Sequence, residues 1–407
     1  MSLTRRAFLG SSLAALVATL QSRHVQAELG RIRRFLFVNA EGGWDPLCTF
    51  APMFGTTGID MEPQAERWTT RGFSLVDHPA RPAFRSFFET WGPRTVLLNG
   101  VNTRSVNHET CQAVTLTGGT SPDGTDWATM LATDARVDFL LPHLVLSGPA
   151  FAGGQSVLLA RAEGQLQAMV DGSIRRAAGL ETPAPGGAAT RVLDAYLESR
   201  AAGFAAGGDA RLQRYAEAVR RAHRLVDDRI DFDFRSASEF GARLSAGVRL
   251  LEQGTARCVS VGTGFVWDTH ENNAEQSPLF DELFTQLGRL LILLTQTTGP
   301  DGVPLSDDTV VVVTSEMART PAYNLSGGRD HWPYTTTMLI GPGLAGGTAL
   351  GGWNSSFQGV GVLSDGSPNP AQLGISAQQL GATLLWLGGV DSTEWLPGVD
   401  PIVGVGA

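Results

Sequence analysis

The chain contains no lysine. All 31 of its basic residues are arginine, set against 40 acids, for a formal net charge of −9. That absence excludes chemistry: a Schiff base to lysine, a pyridoxal phosphate site and a P-loop each need a Lys. Any bound anion must be held by Arg, backbone amides, His or a metal. The acidic balance provides no electrostatic footprint for nucleic acid or for an anionic membrane. Cysteine is scarce as well. Cys48, Cys111 and Cys258 can form one pair at most, and no CxxC or Cys/His zinc spacing occurs. Each is expected to be small core filler. Beyond the N-terminal segment no run of ~18 apolar residues exists, so no further membrane span is expected.

The N-terminal segment itself reads as an export signal. Thr4-Arg5-Arg6-Ala7-Phe8-Leu9 is a twin-arginine signature. An apolar stretch from Ala7 to Leu20 follows, then the small-residue cleavage site Val25-Gln26-Ala27. The apolar part is short for a bilayer span, which favours a cleaved signal over an uncleaved anchor. Residues 1–27 are therefore expected to be a twin-arginine signal, with 28–407 a single domain in the periplasm or secreted.

The 407 residues are 43% hydrophobic and 17% charged, which suits a large globular core. Apolar, β-branched runs followed by loops and helices recur along the chain. Arg34–Ala40, Thr95–Val101, Ala256–Gly264 and Val310–Thr314 read as core strands, and Thr336–Ile340 as another. Helices are expected over Phe84–Trp91, Pro278–Thr297 and Ala377–Leu387. Residues 52–80 and the Gly-rich Gly341–Gly352 read as loops. Residues 151–250 read as a mostly helical insertion, in which His223 sits on a solvated face. The repeated strand–loop–helix pattern argues for an α/β fold, a mostly parallel sheet sandwiched by helices.

Four of these strands are followed directly by residues that can ligate a metal. Asp45 follows the first, in Glu41-Gly42-Gly43-Trp44-Asp45, where an Asx-turn or helix cap would use the same residue. His108 follows the second, where a helix starts, with Arg104 and Ser105 just before it. Asp268 and His270 follow the third, at a spacing that points both the same way on an extended segment. Glu316 and Arg319 follow the fourth, and a Pro, Asn and Gly-rich loop leads on to Asp330 and His331. At the carboxyl ends of parallel strands these groups would converge on one edge. Carboxylates with imidazoles and no thiolate suit Zn²⁺ or Mn²⁺ better than Ca²⁺.

The motifs GGWDPL, NHE…TG, WDTHENN, SEMARTP and GGRDH, in that order, resemble the domain-of-unknown-function 1501 family. That family is similar in fold to the alkaline phosphatase and sulfatase superfamily. The resemblance implies an alkaline phosphatase-like α/β sandwich with metal-binding loops at the strand ends. It matches Asp45 to the first metal-binding aspartate region, Asp268 and His270 to the middle pair, and His331 to the late histidine. It places Glu316 where the superfamily has an Asp-His pair, and His108 where alkaline phosphatases have their nucleophile. This chain departs from the pattern with Met317-Ala318 and Asn107-His108. No Ser or Thr occupies the nucleophile position, and neither Cys48 nor Cys111 has the context of a formylglycine site.

Two functions remain open at this point. One is a metal-dependent hydrolase of a phosphate, phosphonate or sulfate ester. Asp45, Asp268, His270, Glu316, Asp330 and His331 would hold metal, and His108 would be a further ligand or the nucleophile. Arg319 or Arg104 would steady a small anionic ester substrate. The other is a non-catalytic periplasmic binding protein on the same fold. Oligomeric state is not encoded in any of these features.

Overall fold

The computed structural model describes residues 32–134, 136–155, 158–162, 173–175, 181–183, 187–227 and 239–407. The export signal expected at 1–27 lies outside the described residues, as do parts of the 151–250 segment.

Strand β1 (Arg34–Asn39) forms the centre, buried along its whole length. A hairpin of β2 (Glu66–Thr70) and β3 (Phe73–Asp77) follows, then helix α1 (Pro82–Trp91). Strand β4 (Thr95–Asn102) leads through a short loop to helix α2 (His108–Thr117). Helix α3 (Trp127–Leu131) precedes the short strands β5 (His143–Val145) and β6 (Leu159–Arg161). The next segment carries a small hairpin, β7 (Ser173–Arg175) with β8 (Glu181–Pro183), and helices α4 (Gly187–Ala205), α5 (Ala210–Asp227) and α6 (Phe240–Glu252). Strand β9 (Cys258–Gly262), helix α7 (Gln276–Gln296) and strand β10 (Thr309–Thr314) come next. The short ribbon of β11 (Ala318–Arg319) and β12 (His331–Trp332) then leads into β13 (Tyr334–Ile340). Strands β14 (Thr348–Trp353), β15 (Gly359–Val362), β16 (Pro368–Leu373) and β17 (Ile375–Ser376) and helix α8 (Ala377–Leu387) complete the chain.

Eleven strands form one sheet, ordered β16-β15-β14-β4-β13-β10-β1-β9-β5-β6, with β17 also on β4. It is mostly parallel. β1 pairs in parallel with both β9 and β10, and β5, β6, β14 and β17 also join through parallel ladders. Period-2 alternation divides β1 between two cores. Leu36 and Val38 face α1, α6 and α7, where Phe84, Leu244, Phe284 and Leu287 pack. Phe35 and Phe37 face α3 and α8, with Trp127, Leu380 and Leu384. A strand covered on both faces must be apolar throughout, which is why its composition was legible.

Two segments differ from the sequence expectation. Residues 52–80 include the β2–β3 hairpin, closed by Arg71 and Gly72 at φ 47° and 89°. Positive φ at both central residues is the turn that matches strand twist, and Arg-Gly is an uncommon way to build it. The Gly341–Gly352 loop also runs into a strand, β14, parallel to β4. Glycines supply none of the side-chain signal that marks a strand.

β13 runs antiparallel to both β10 and β4. It therefore starts at the edge where β1, β4, β9 and β10 end. This reversal brings His331, three residues before β13, to the loops that carry Asp268 and His108.

Candidate metal centre

The site begins with a turn that tolerates no side chain. Gly42 and Gly43, just past β1, have φ of 114° and 88°. A Cβ on Gly42 would lie 2.9 Å from the backbone nitrogen of Asp268. The close approach sets the β1 loop against the loop after β9. Trp267 anchors that second loop. Fully buried, it stands edge-on to Phe280 at a centroid distance of 4.8 Å. Alternation then turns Asp268 and His270 outward on either side of buried Thr269.

Three imidazoles and one carboxylate converge there. His108, Asp268 and His331 each offer a ligand atom, and these atoms lie within 4.8 Å of one another. His270 joins them, its Nε2 2.9 Å from His331 Nε2 and 3.0 Å from Asp268 Oδ1. His331 Nε2 is 3.1 Å from Asp268 Oδ1, and His108 Nε2 is 3.5 Å from Asp268 Oδ2.

The opposite ring nitrogen of each histidine meets an oxygen. His331 Nδ1 lies 2.7 Å from the Val106 carbonyl, His108 Nδ1 2.9 Å from Glu316 Oε1, and His270 Nδ1 3.0 Å from Asp330 Oδ1. A carbonyl only accepts, so His331 Nδ1 carries hydrogen. A carboxylate partner gives His108 and His270 the same tautomer. Three Nε2 lone pairs therefore face a carboxylate, an arrangement that repels itself unless a proton or a metal ion lies between. A tetrahedral ion with bonds of ~2.1 Å spaces its ligands about 3.4 Å apart; the contacts of Asp268 with His108 and His331 are 3.5 and 3.1 Å. The donor set of His108, Asp268 and His331 fits a divalent ion, and His270 stands beside it, bonded to His331 and Asp268.

The electrostatics follow from these contacts. Partial burial pushes the Asp268 carboxyl up. Its hydrogen-bonded contacts with Arg319 and His331 outweigh it and hold the group at about 2. The hydrogen bond to Glu316 raises His108, against the opposing effect of burial. Burial and the nearby Glu316 both raise Glu41, which sits behind the cluster.

The other sequence candidates occupy different positions. Glu316 is buried and accepts from the Gly42 N–H at 2.7 Å as well as bonding His108. It orients a ligand rather than facing the common point, and exposed Asp330 does the same for His270. Asp45 is separate. Fully buried, it lies 3.1 Å from Arg329 Nε, caps the turn at Leu47 and accepts from Asn273 Nδ2. The Asx-cap alternative is the one its geometry realises.

Arg319 is not a surface clamp. Its fully buried guanidinium donates to the Gly43 carbonyl at 2.7 Å, the Gly42 carbonyl, the Arg329 carbonyl at 3.2 Å and Asp268 Oδ1 at 2.7 Å. It orients Asp268 from beneath. Arg104, at φ 57°, donates to the Gly118 carbonyl beyond the C-terminus of α2. His108 begins that ten-residue helix, so Arg104 points to the end roughly 15 Å away.

Sequence reasoning missed Gln276 and Asn324. Buried Gln276 donates to the Gly43 and Trp267 carbonyls and accepts from the Asp45 N–H, tying the loops after β1 and β9 to the start of α7. Asn324 Nδ2 donates to the His270 carbonyl at 2.8 Å. Its Asn-Leu-Ser-Gly-Gly context was a turn signal. Gln276 at the start of an apolar helix carried none.

Among curated proteins none matches the chain. Several solved structures are similar at low identity. A sulfatase from a Pseudoalteromonas species is 12% identical over 97% of this chain and 75% of its own, with a TM-score of 0.43. A protein in the alkaline phosphatase superfamily from Vibrio parahaemolyticus is 10% identical over 91% and 70%, with a TM-score of 0.41. The lipoteichoic acid synthase LtaP from Listeria monocytogenes is 10% identical over 94% and 80%, with a TM-score of 0.39. The model of a family described as protein of unknown function, DUF1501, matches residues 173–399, more than half the chain and inclusive of Asp268, His270 and His331, and the chain belongs to that family.

Proposed function

We propose that the protein is a metal-dependent hydrolase of a small phosphate, phosphonate or sulfate ester. The observation that carries this reading is the group of His108, Asp268 and His331, whose donor atoms lie within 4.8 Å of one another with His270 bonded alongside, each imidazole held by an oxygen on its other nitrogen. A divalent ion there, Zn²⁺ or Mn²⁺ by donor type, would supply Lewis acidity to an ester oxygen and an acidified water. The chain's own residues do the positioning. Glu316, Asp330 and the Val106 carbonyl fix the ring orientations, and Arg319 fixes Asp268. The motif resemblance to the alkaline phosphatase and sulfatase superfamily supplies the substrate class. His108 is read as a ligand, since one Nε2 lone pair cannot both ligate and attack.

One observation favours the alternative, a metal-binding protein without turnover. The hydroxyls and thiols nearest the cluster are engaged elsewhere. Ser315 Oγ donates to the Ala40 carbonyl at 2.7 Å, Ser105 Oγ accepts from the Asn107 N–H, and buried Cys111 faces Thr103. Hydrolysis would therefore use water. Metal analysis of purified protein, followed by assay with p-nitrophenyl phosphate, bis(p-nitrophenyl) phosphate and p-nitrophenyl sulfate, separates the two readings. Near-stoichiometric metal with turnover that disappears in His270→Ala supports the hydrolase. Full metal loading with no turnover of any ester supports the binder. The same proposal places the protein outside the cytoplasm through the twin-arginine signal. Retention in the cytoplasm when Arg5 and Arg6 are both replaced by Gln tests it.

A further inference from the structure

We propose that the hairpin of α4 and α5 carries a docking face for an anionic lipid surface, a contact independent of the metal centre. The acidic balance of the whole chain conceals a local reversal. Residues 187–227 hold seven Arg against five acids, in a chain whose net charge is −9. Two of those acids are engaged within the fold. Asp209 accepts from the Arg211 and Leu212 N–H groups at the start of α5, and Glu217 pairs with Arg220 and Arg221. Arg221 and Arg224 also pair with Asp138, which ties α5 to the body of the protein. Arg191, Arg200, Arg211 and Arg214 enter no ion pair among the described residues, and all but Arg214 are exposed. The charge left uncompensated on the hairpin is therefore positive.

The same hairpin exposes apolar side chains in a connected line. Val192, Tyr196, Arg200 and Phe204 recur every four residues on α4, so each neighbours the next along one side of the helix, over ~18 Å. The Arg200 guanidinium carbon lies 4.8 Å from the Phe204 ring centre, and that ring meets Tyr215 of α5 at 5.7 Å. Leu212 precedes Tyr215 by one turn. Val192 and Tyr196 are 72% and 59% exposed, Tyr215 and Leu212 44% and 38%. Isolated exposed aliphatics are ordinary. A connected line of them, interleaved with unpaired arginines, suits the boundary of a bilayer. There aliphatic side chains enter the acyl edge, tyrosines sit among the headgroups, and guanidiniums meet phosphate. Charge decides the occupant. A two-fold contact with a second copy through this face would set its arginines against the same arginines, whereas an anionic lipid surface complements them.

Vesicle co-sedimentation tests the inference. The protein is residues 28–407, the proposed exported form, because the apolar signal would itself bind lipid. Vesicles of phosphatidylcholine with an equal part of phosphatidylglycerol should sediment the protein, and vesicles of phosphatidylcholine alone should do so far less. Raising salt to ~0.5 M, where the screening length is ~4 Å, should release it. Each arginine near the surface contributes about fivefold, so Arg191→Gln with Arg211→Gln should weaken binding about 25-fold. Val192→Ser with Leu212→Ser should weaken it several-fold without changing the response to salt. Unchanged metal content and circular dichroism in both variants keep folding and the metal centre out of the comparison. Failure to bind anionic vesicles, equal binding to neutral ones, or undiminished binding by the arginine variant overturns the inference. A concentration-dependent dimer in sedimentation velocity that either variant abolishes also overturns it, and assigns the face to a second copy. None of these results bears on the hydrolase reading, which rests on other residues.

Discussion

Asp45 and Asp268 are both aspartates on loops past core strands, and the proposed function gives them opposite roles. Replacing each by Asn separates stability from metal binding. Asp45 is fully buried against Arg329, itself 1% exposed, with 3.1 Å between Oδ2 and Nε. Asn preserves size and the cap to the Leu47 N–H but removes the charge. Arg329 then remains buried and positive, eased by the carbonyls of Thr320, Pro321 and Asp60 and by the Tyr323 ring, 4.1 Å from its guanidinium carbon. Breaking a buried pair by neutralising one partner costs roughly 3–5 kcal/mol. With an unfolding entropy of ~2 cal/mol/K per residue over the chain, that lowers Tm by about 4–6 °C. Asp45→Asn should nonetheless retain its metal. Asp268→Asn should do the reverse, because Asp268 is partly exposed and its removal relieves lone-pair crowding among the histidines. Its metal-free Tm should also fall, because buried Arg319 loses its carboxylate, but by less than in Asp45→Asn since Asp268 is partly exposed, while its metal content collapses. Differential scanning calorimetry on chelator-treated protein and metal analysis on untreated protein read the two effects separately. Loss of metal from Asp45→Asn with Tm unchanged, together with full metal in Asp268→Asn, would refute this assignment.

Three further outcomes follow from the same geometry. Arg319→Met should weaken metal affinity about 10–100-fold by releasing Asp268 and stranding the Gly42 and Gly43 carbonyls, measurable by competition with a chromogenic chelator. In Gly328→Ala the new Cβ would run into the backbone carbonyl of His270. The loop carrying Asn324 and Asp330 must then lift, and metal affinity should fall in the same assay although no ligand has changed. His143 is fully buried between Thr129 and Ser260, each 2.8 Å from a ring nitrogen, with Asp126 at 3.6 Å. Burial lowers its pKa, outweighing the opposite pull of Asp126. The unfolded chain therefore takes up the proton first. This contribution to stability is complete above the unfolded value of about 6.5 and is lost as pH falls from there through the folded value. Urea denaturation should show that acid limb in the wild type and a flatter one in His143→Gln; identical limbs would remove His143 as the cause.

Much of the framework was legible because its signals are local. β1 and β10 are runs of apolar and β-branched residues that cannot avoid burial on two faces, and Ser376 and Gln379 cap α8 with a reciprocal pair of hydrogen bonds. The direction of β13 was not legible, since Thr-Thr-Thr-Met-Leu-Ile reads as a strand in either sense. Nor was β14, whose glycines carry no pattern. At the site, Asp268 and His270 could be paired by spacing alone. The partners of Asp45 and Arg319 could not, because both point beneath the loops towards residues more than two hundred positions away for Asp45 and to the Gly42–Gly43 turn for Arg319.

The sequence by itself determined the chemistry available: arginine as the sole cationic side chain apart from histidine, scarce cysteine, and metal-capable residues delivered after successive core strands. Those are properties of residue type and short-range order. Only the tertiary structure decided which of those residues meet. The reversal of β13 brings His331 to the strand ends. The turn at Gly42 admits Asp268. Buried Arg319 and Arg329 hold Asp268 outward and Asp45 inward. A ligand set depends on side-chain direction across loops far apart in the chain. Direction of that kind is fixed by packing, which local composition does not encode.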